Sequence, residues 1–427
     1  MNIKKRTIPL FILVTGFLYA QDIRLTLEDA CVLAEQNSIA LQKQAVDLEF
    51  DRIKAKSLWA QVFPTINVSG GARYSIPLNS DAPKTDPSYT ATLNLRLGLS
   101  AGLPLTMTNI SLAYKNNLLN YEQARRVLVN QTAKTFYSLL AQKDRLQVLE
   151  GTMRLAAEQL ARNRIARQSG YIGELDFLST QVGAERARLN HSRALTDYQN
   201  ALGKFLAALG LDPNKPVILV GDSGITKLSL NSEVLIHERL ALRPDIIYQR
   251  NEIERLKNTR AETFLSSKAP SVDLFASWGA SAKSGFDDML SAGISVTIPI
   301  DPWVPRTRTD QAVKRSDGEY QKAQLELISM EDNARQEIQS YTDSIGNTWT
   351  EVEIARLQAG YAQRAFELAE QFYRRGTMSY LDFEAVRNRL DDARQQQFQS
   401  ELAYKILVLD LASSLNMEEG ELKNYSR

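Results

Sequence analysis

The residue types that most often perform catalysis or bind metals are scarce in this sequence. Its two histidines are His191 and His237, and its single cysteine is Cys31. They lie far apart along the chain and do not give the spacing of a metal site. Gly221-Asp-Ser-Gly224 matches the short pattern around a nucleophilic serine, but no histidine has the expected context, and we interpret it as a turn. The sequence therefore predicts no catalytic, cofactor-binding or metal site, and we expect a protein that is not an enzyme.

A repeated octapeptide places one carboxylate at the same position in each half of the chain. Gly170-Tyr-Ile-Gly-Glu-Leu-Asp-Phe177 returns 206 residues later as Gly376-Thr-Met-Ser-Tyr-Leu-Asp-Phe383. Pro64-Thr-Ile-Asn-Val68 and Pro270-Ser-Val-Asp-Leu274 are related by the same offset, which indicates a duplication of most of the chain. Helical sequence flanks each octapeptide on both sides. Each copy therefore predicts a tight reversal between antiparallel helices, with glycine supplying the turn.

Long helical patterns must position these two turns. The longest, from about residue 109 to residue 168, would span roughly 90 Å, far more than a globular helix needs. The predicted helices are Thr26 to Ala60, Asn109 to Gln168, Glu174 to Leu209, Ser232 to Ser266, Arg308 to Arg374 and Tyr380 to Leu415.

Between the helices, four segments alternate apolar and polar residues as strands do. In the clearest one, Leu93, Leu95, Leu97 and Leu99 alternate with polar residues that include Asn94 and Arg96. Two half-buried hairpins on a soluble sheet would explain this pattern, and so would membrane strands, which need roughly 9–11 residues. If the strands cross a membrane, we expect the four leucines to face lipid.

The chain begins with the features of a secretory signal. Met1 to Arg6 is basic and Ile8 to Ala20 is apolar, so we predict a signal peptide over residues 1–20. Its removal would leave 48 basic and 50 acidic residues from 51 and 50, a balance that does not favour nucleic acid. Later segments lack a long apolar run, so any membrane crossing must use strands.

The duplication and the strands together predict the organisation of the protein. We expect a first repeat over residues 21–210, a linker over 211–231, a second repeat over 232–415 and a tail over 416–427. Four strands cannot close a barrel, and lipid does not tolerate open edges. Two copies would give eight strands with a filled interior, and three would give twelve strands with an open lumen.

The order of these features resembles the TolC-type outer-membrane efflux proteins. The resemblance rests on the signal, the repeat of helix, two strands, helix, turn and helix, the phrase Leu242-Arg-Pro-Asp245, and the Gly-x₅-Asp tips. It implies a mixed α and β membrane protein: a homotrimer with a twelve-strand barrel in outer-membrane lipid and a long periplasmic α-helical barrel in a Gram-negative-type cell. The implied function is a passive exit duct for small-molecule efflux or type I protein secretion. The implied partners are a periplasmic adaptor and an inner-membrane pump or ABC transporter.

The resemblance also implies roles for residues at the two tips. Tyr373 resembles a gating tyrosine, Asp176 its partner, and Asp382 a member of a ring of aspartates. Met378 stands where well-studied members carry a gating arginine. An alternative for both aspartates, compatible with gating, is a carboxylate facing a helix N-terminus. The residues expected to dock the adaptor are Gly170, Gly173, Leu175, Gly376 and Leu381.

A periplasmic structural protein made of helical hairpins, without a conducting pore, is the alternative function. A duct should partition with outer membranes and resist mild detergent as an oligomer, and such a structural protein should not.

Overall fold

The computed structural model describes residues 23–74, 87–222, 224–282 and 286–426. The predicted signal peptide and Ser223 lie outside these ranges. So do most of the residues from Asn79 to Pro87, which are rich in Pro, Asp and Ser and which we predict to be a loop. The α-helices are α1 (Leu27–Asn37), α2 (Ile39–Lys56), α3 (Leu103–Gln168), α4 (Glu174–Ala208), α5 (Ser232–Arg239), α6 (Pro244–Lys268), α7 (Arg308–Arg374), α8 (Tyr380–Ser414) and α9 (Glu419–Leu422). The strands are β1 (Ile23–Leu25), β2 (Thr65–Arg73), β3 (Ser88–Leu99), β4 (Val217–Leu219), β5 (Ser271–Ala282) and β6 (Phe286–Thr297).

Two compact units divide the chain, and each is made of two sequence segments. Of the described residues, the first unit contains those up to Asn37 and from Thr132 to Gly224, and the second contains those from Ser38 to Gln131 and from Ile225 onwards. In the first unit, β1 pairs in parallel with β4, with Leu25 opposite Leu219, and both leucines are buried. The second unit contains a four-stranded antiparallel sheet in the order β2-β3-β5-β6.

One face of the four-stranded sheet is apolar on every strand, apart from Asp288 of β6, which lies opposite Ala280. Its register puts Leu95 between Ile66 and Ala276, and Leu93 between Val68 and Trp278. Because side chains alternate between the faces of a strand, all residues in these rows share one side. The same face continues through Leu97, Leu99, Val272, Leu274, Leu290, Ala292, Ile294 and Val296.

The opposite face is built mainly from small polar side chains. Arg96 Nε donates to Asp273 Oδ1 over 3.2 Å, and hydroxyl pairs join neighbouring strands. Phe275 and Met289 are the exceptions: Phe275 lies directly opposite Arg96 and Gly293, and Met289 lies opposite Gly279. A Cβ at Gly293 would come within 2.6 Å of Phe275 Cζ, so glycine is needed for the ring to lie across the sheet.

The core of the second unit lies between α7 and α8. Ile338, Ile345 and Val352 of α7 are fully buried in one cluster with Tyr404 and Leu411 of α8. The Tyr404 hydroxyl donates to the Thr226 carbonyl and accepts from the Leu228 amide, each over 3.0 Å. This phenol therefore ties the segment before α5 to the helical hairpin.

The four long hairpin helices end in the same way. In α3 and α7, the residue after the cap is a glycine with positive φ, Gly170 at 76° and Gly376 at 75°. Gly210 and Asn416 do the same after α4 and α8, at 74° and 60°, and they are again 206 residues apart. Each turn closes with paired amide-to-carbonyl bonds of a Schellman motif. The predicted reversals after α3 and α7 are therefore confirmed, and the duplication extends to the far ends of both hairpins.

Two predicted helices differ from the structure, one by a break and one by its first residue. The helix predicted over Thr26 to Ala60 is broken at Ser38, whose Oγ accepts from the Leu41 amide and starts α2. Serine competes with helical bonding and favours such caps. The predicted start at Asn109 was late, because α3 begins at Leu103. Pro104 is the second residue of α3, and proline is tolerated in the first turn of a helix because no helical hydrogen bond there uses the amide proton that it lacks.

The helix predicted over Ser232 to Ser266 is two helices. A 3₁₀ turn at Leu240–Leu242 ends α5, and α6 begins at Pro244. Proline disfavours a helical conformation at the residue before it, and Arg243 is accordingly extended, with φ −64° and ψ 135°. Within the described ranges, no helix has both the length and the apolar character needed to cross a membrane.

Candidate functional site: the two hairpin tips

The first tip joins α3 to α4 within the first unit. The Tyr171 amide donates to the Ala166 carbonyl over 2.8 Å, which closes the turn around Gly170. Gly173 is extended and caps α4 without a side chain. Arg167 lies over this turn, because its guanidinium is 4.7 Å from the Phe177 ring centre and donates to Glu174 over 2.9 Å.

The second tip joins α7 to α8 within the second unit. The Thr377 amide donates to the Phe372 carbonyl over 3.0 Å around Gly376. Ser379 replaces Gly173 as the cap, and its Oγ accepts from the Asp382 amide and donates to the Asp382 carboxylate. Tyr373 stacks on the buried Phe383, with ring centres 4.9 Å apart and planes 14° from parallel.

Arg167 and Tyr373 are equivalent positions that hold different chemistry. They are 206 residues apart, and each places a planar group over the phenylalanine of its octapeptide. The first tip therefore carries a cation where the second carries a phenol. Arg167 is not among the site residues predicted from the sequence, although it lies 206 residues before the predicted Tyr373.

The predicted gate residues are found in three different settings. Asp382 is bonded to Ser379 in the first turn of α8, which fits the helix N-terminus interpretation. The Asp176 backbone carbonyl accepts from Thr180 Oγ1 over 2.7 Å, and Met378 is half-buried in the turn. Asp176 belongs to the first unit and Tyr373 to the second, so the link between them stays a prediction.

Exposed apolar side chains project from both tips. Leu175 and Leu381, two of the predicted docking residues, are exposed, and so is Tyr171. Gly170, Gly173 and Gly376 form the turns that present them. The role of these residues in docking an adaptor stays a prediction.

A buried arginine explains the phrase Leu242-Arg-Pro-Asp245. Arg243 donates through Nε and Nη2 to the two Asp245 oxygens, over 3.2 and 2.9 Å. Its Nη1 lies 2.8 Å from Glu337 of α7, an ion-pair contact outside hydrogen-bond angles. Burial opposes the charge, but the bonds to Asp245 and the charge of Glu337 outweigh it and raise the pKa of Arg243. The phrase thus starts α6 and anchors it to α7.

The histidine and cysteine residues considered for metal binding or catalysis can now be placed in the structure. Within the described ranges, histidine, cysteine and carboxylate side chains do not gather in groups of three or more that could hold a metal ion. Burial, with a smaller contribution from Glu35, raises the pKa of the Cys31 thiol. Ser223 of the serine phrase lies outside the described residues.

Comparison with known proteins identifies the family. A model of the outer membrane efflux protein family matches residues 31–211 and 235–417. The chain belongs to that family. This confirms the resemblance to TolC-type proteins and places the chain in the outer membrane of a Gram-negative-type cell, with a periplasmic extension. The family is one of channel proteins. None of the curated protein sequences compared with the chain matches it.

Solved outer-membrane proteins share the fold of this family member. The Campylobacter jejuni CmeC outer membrane channel is 17% identical, with a TM-score of 0.77, and the match covers 94% of this chain and 90% of that one. VceC of Vibrio cholerae is 17% identical, with a TM-score of 0.72, over 92% and 96% of the two chains. The Neisseria gonorrhoeae MtrE channel is 16% identical, with a TM-score of 0.73, over 92% and 89%.

Proposed function

We propose that the protein is a passive trimeric exit duct of the outer membrane. The observation that carries this proposal is an open sheet with one apolar face. Val68 on β2 and Leu290 on β6 are 80% and 77% exposed on that face. In the described sheet β2 and β6 each pair with one neighbour, so each offers an open edge. Lipid does not tolerate such edges, and three copies joined edge to edge would form a closed barrel of twelve strands.

The two faces of the sheet suit the two sides of such a barrel. Leu93, Leu95, Leu97 and Leu99 would face lipid, while Arg96 and its polar neighbours would line the lumen. The long helices would continue the duct through the periplasm. The tips would then meet a periplasmic adaptor and an inner-membrane pump or ABC transporter, and the duct would carry small molecules or secreted proteins.

Assembly provides the direct test of this proposal. We expect native mass spectrometry of the protein, extracted from outer membranes in mild detergent, to show trimers, and planar bilayers to show conductance from the same preparation. A stable monomer in membranes would contradict the barrel. Recovery as a soluble periplasmic protein without conductance would favour the structural alternative.

The duct also needs a closed state at the tips. The solved MtrE channel is described as open, which supports a gate in this family. We propose that the Tyr373 phenol donates to the Asp176 carboxylate where hairpins meet. A hydrogen bond to a charged group contributes roughly 1.5–3 kcal/mol, and three symmetric copies would add. With Met378 in place of the arginine, one link is missing, so the resting state should open easily.

Removing this link is expected to open the gate. Tyr373→Phe keeps the ring that stacks on Phe383 and deletes only the hydroxyl, so combining it with Asp176→Ala tests the bond rather than the packing. We expect the double variant to raise single-channel conductance in planar bilayers. Asp382→Ala is the matched control, because it deletes a tip carboxylate that is bonded to Ser379 and should leave closure largely intact. Wild-type conductance in the double variant would refute the gate without refuting the duct.

A further inference from the structure

Helix α4 has two distinct packing faces near the first tip. One is buried, with Thr180, Gly183 and Ala187, and Thr180 Oγ1 accepts from Asn163 of α3 over 2.8 Å. The other is exposed and largely apolar, with Arg186 on the same side. We name it the α4 stripe: Leu175, Leu178, Val182 and Leu189, which are 47–70% exposed. The two faces lie roughly 140–160° apart at about 100° per residue. A helix in a curved wall of helices needs two contact faces with such a separation.

Helix α7 has the same arrangement near the second tip. Its buried face includes Val352, Ala355 and Ala359. The exposed face, which we name the α7 stripe, contains Leu357, Tyr361, Leu368 and Phe372, which are 42–74% exposed. Each stripe is therefore an exposed, largely apolar surface of its own helix.

The two stripes have matching heights above their tips. Helix α4 runs away from Gly170 and α7 runs towards Gly376, so the two would pair antiparallel. The residues of the α4 stripe lie 5, 8, 12 and 19 positions after Gly170, and those of the α7 stripe lie 4, 8, 15 and 19 positions before Gly376. With the tips level, the opposed pairs are Leu175 with Phe372, Leu178 with Leu368, and Leu189 with Leu357.

A polar pair falls in the same register. Glu185 follows Val182 in the α4 stripe and lies 15 positions after Gly170, while Tyr361 lies 15 positions before Gly376. Among the described residues, the Glu185 carboxylate has a long ion-pair contact, 3.9 Å, with the exposed Arg188. A phenol O–H is a suitable donor to such a carboxylate. A shallow cavity of about 480 Å³, lined by Leu178, Val182, Glu185 and Leu189 among others, lies along α4 to receive the opposing side chains.

We propose that the α4 stripe of one copy packs against the α7 stripe of the next copy, with Glu185 opposite Tyr361. A second copy is the occupant that fits, because β6 offers an open edge for another copy and is followed in the chain by α7, after a 3₁₀ turn at Asp301–Trp303. The surface and its partner differ, so the interface is head-to-tail, and it closes into a ring when a threefold axis relates three copies. The inference rests on the proposed trimer and specifies which helices hold it together.

Paired cysteines in full-length protein test both the faces and the register. In a Cys31→Ser background, the matched pairs are Leu178→Cys with Leu368→Cys and Leu189→Cys with Leu357→Cys. The mismatched pairs exchange partners: Leu178→Cys with Leu357→Cys and Leu189→Cys with Leu368→Cys. These keep the same faces but offset the thiols by 11 residues, roughly 16 Å along a helix. A disulfide needs Cα atoms within about 7 Å.

We expect oxidation in outer membranes to join the matched pairs into two- and three-chain species. The mismatched pairs and each single cysteine should give at least about tenfold less product, because their thiols cannot meet. If the free thiols disappear but no two- or three-chain species forms, the disulfide joins the two stripes within one chain, and the inference is wrong. Equal linking of matched and mismatched pairs would overturn the register.

The remaining outcomes separate this inference from the duct itself. If trimers form and conduct but no pair links, the interface is wrong and the duct survives. If no trimer forms, the duct fails and the second-copy assignment fails with it. If a maleimide labels Leu178→Cys in trimers, and adaptor added to them blocks that labelling, the α4 stripe belongs to the adaptor.

Discussion

Replacing Arg243 with methionine is expected to lower the free energy of unfolding by about 3 kcal/mol. Removing one partner of a buried ion pair typically costs roughly 3–5 kcal/mol, because it strands the other charge. The side chains of Asp245 and Glu337 are each 40% exposed, so both can hydrate after the change, and the cost should fall at the low end. Denaturant unfolding in detergent micelles, followed by circular dichroism, measures the effect.

The chain offers a matched control on the same two helices. Arg250 of α6 pairs with Glu331 of α7 over 3.0 Å, but its side chain is 49% exposed. Exposed ion pairs contribute roughly 0.2–1 kcal/mol, so Arg250→Met should have a small effect. Equal losses from the two substitutions would show that the buried network does not anchor α6 to α7.

The features that repeat or alternate could be read from the sequence. The offset of 206 located both tip glycines, and strand alternation identified the apolar face around Leu95. These patterns are local, because one glycine sets a turn and a period of two sets a strand face. The offset of 206 also relates Gly210 to Asn416, both with positive φ, although no repeated octapeptide marks these positions.

Contacts between distant residues could not be read in this way. Arg243 and Glu337 lie on separate helices, and Arg96 meets Asp273 only because β3 pairs with β5. The antiparallel register of a sheet and the phase of a packed helix are tertiary properties, and neither leaves a period in the sequence. The break at Ser38 was missed for another reason: a serine cap inside an apolar stripe differs little from a helical serine until its bond to the Leu41 amide is known.

Placing arginine at Leu95 is expected to cost about 2–4 kcal/mol, the range for a charge on the lipid face near mid-membrane. Leu95 lies in the second half of β3, between Ile66 and Ala276, in the centre of the apolar face. A guanidinium there would have to leave water for lipid tails. Urea titration of folding into lipid vesicles measures the change in stability.

Asn94 provides the control, because it is adjacent to Leu95 in β3 and its side chain lies on the opposite face of the sheet. Asn94 lies between Asn67 and Ser277 on the polar face, two residues before Arg96. Asn94→Arg introduces the same side chain into the proposed aqueous lumen, so it should change stability by about 0.5 kcal/mol or less, as surface substitutions do. Equal costs at positions 94 and 95 would contradict the assignment of the two faces. A large cost at Leu95 alone would show that the apolar face avoids water.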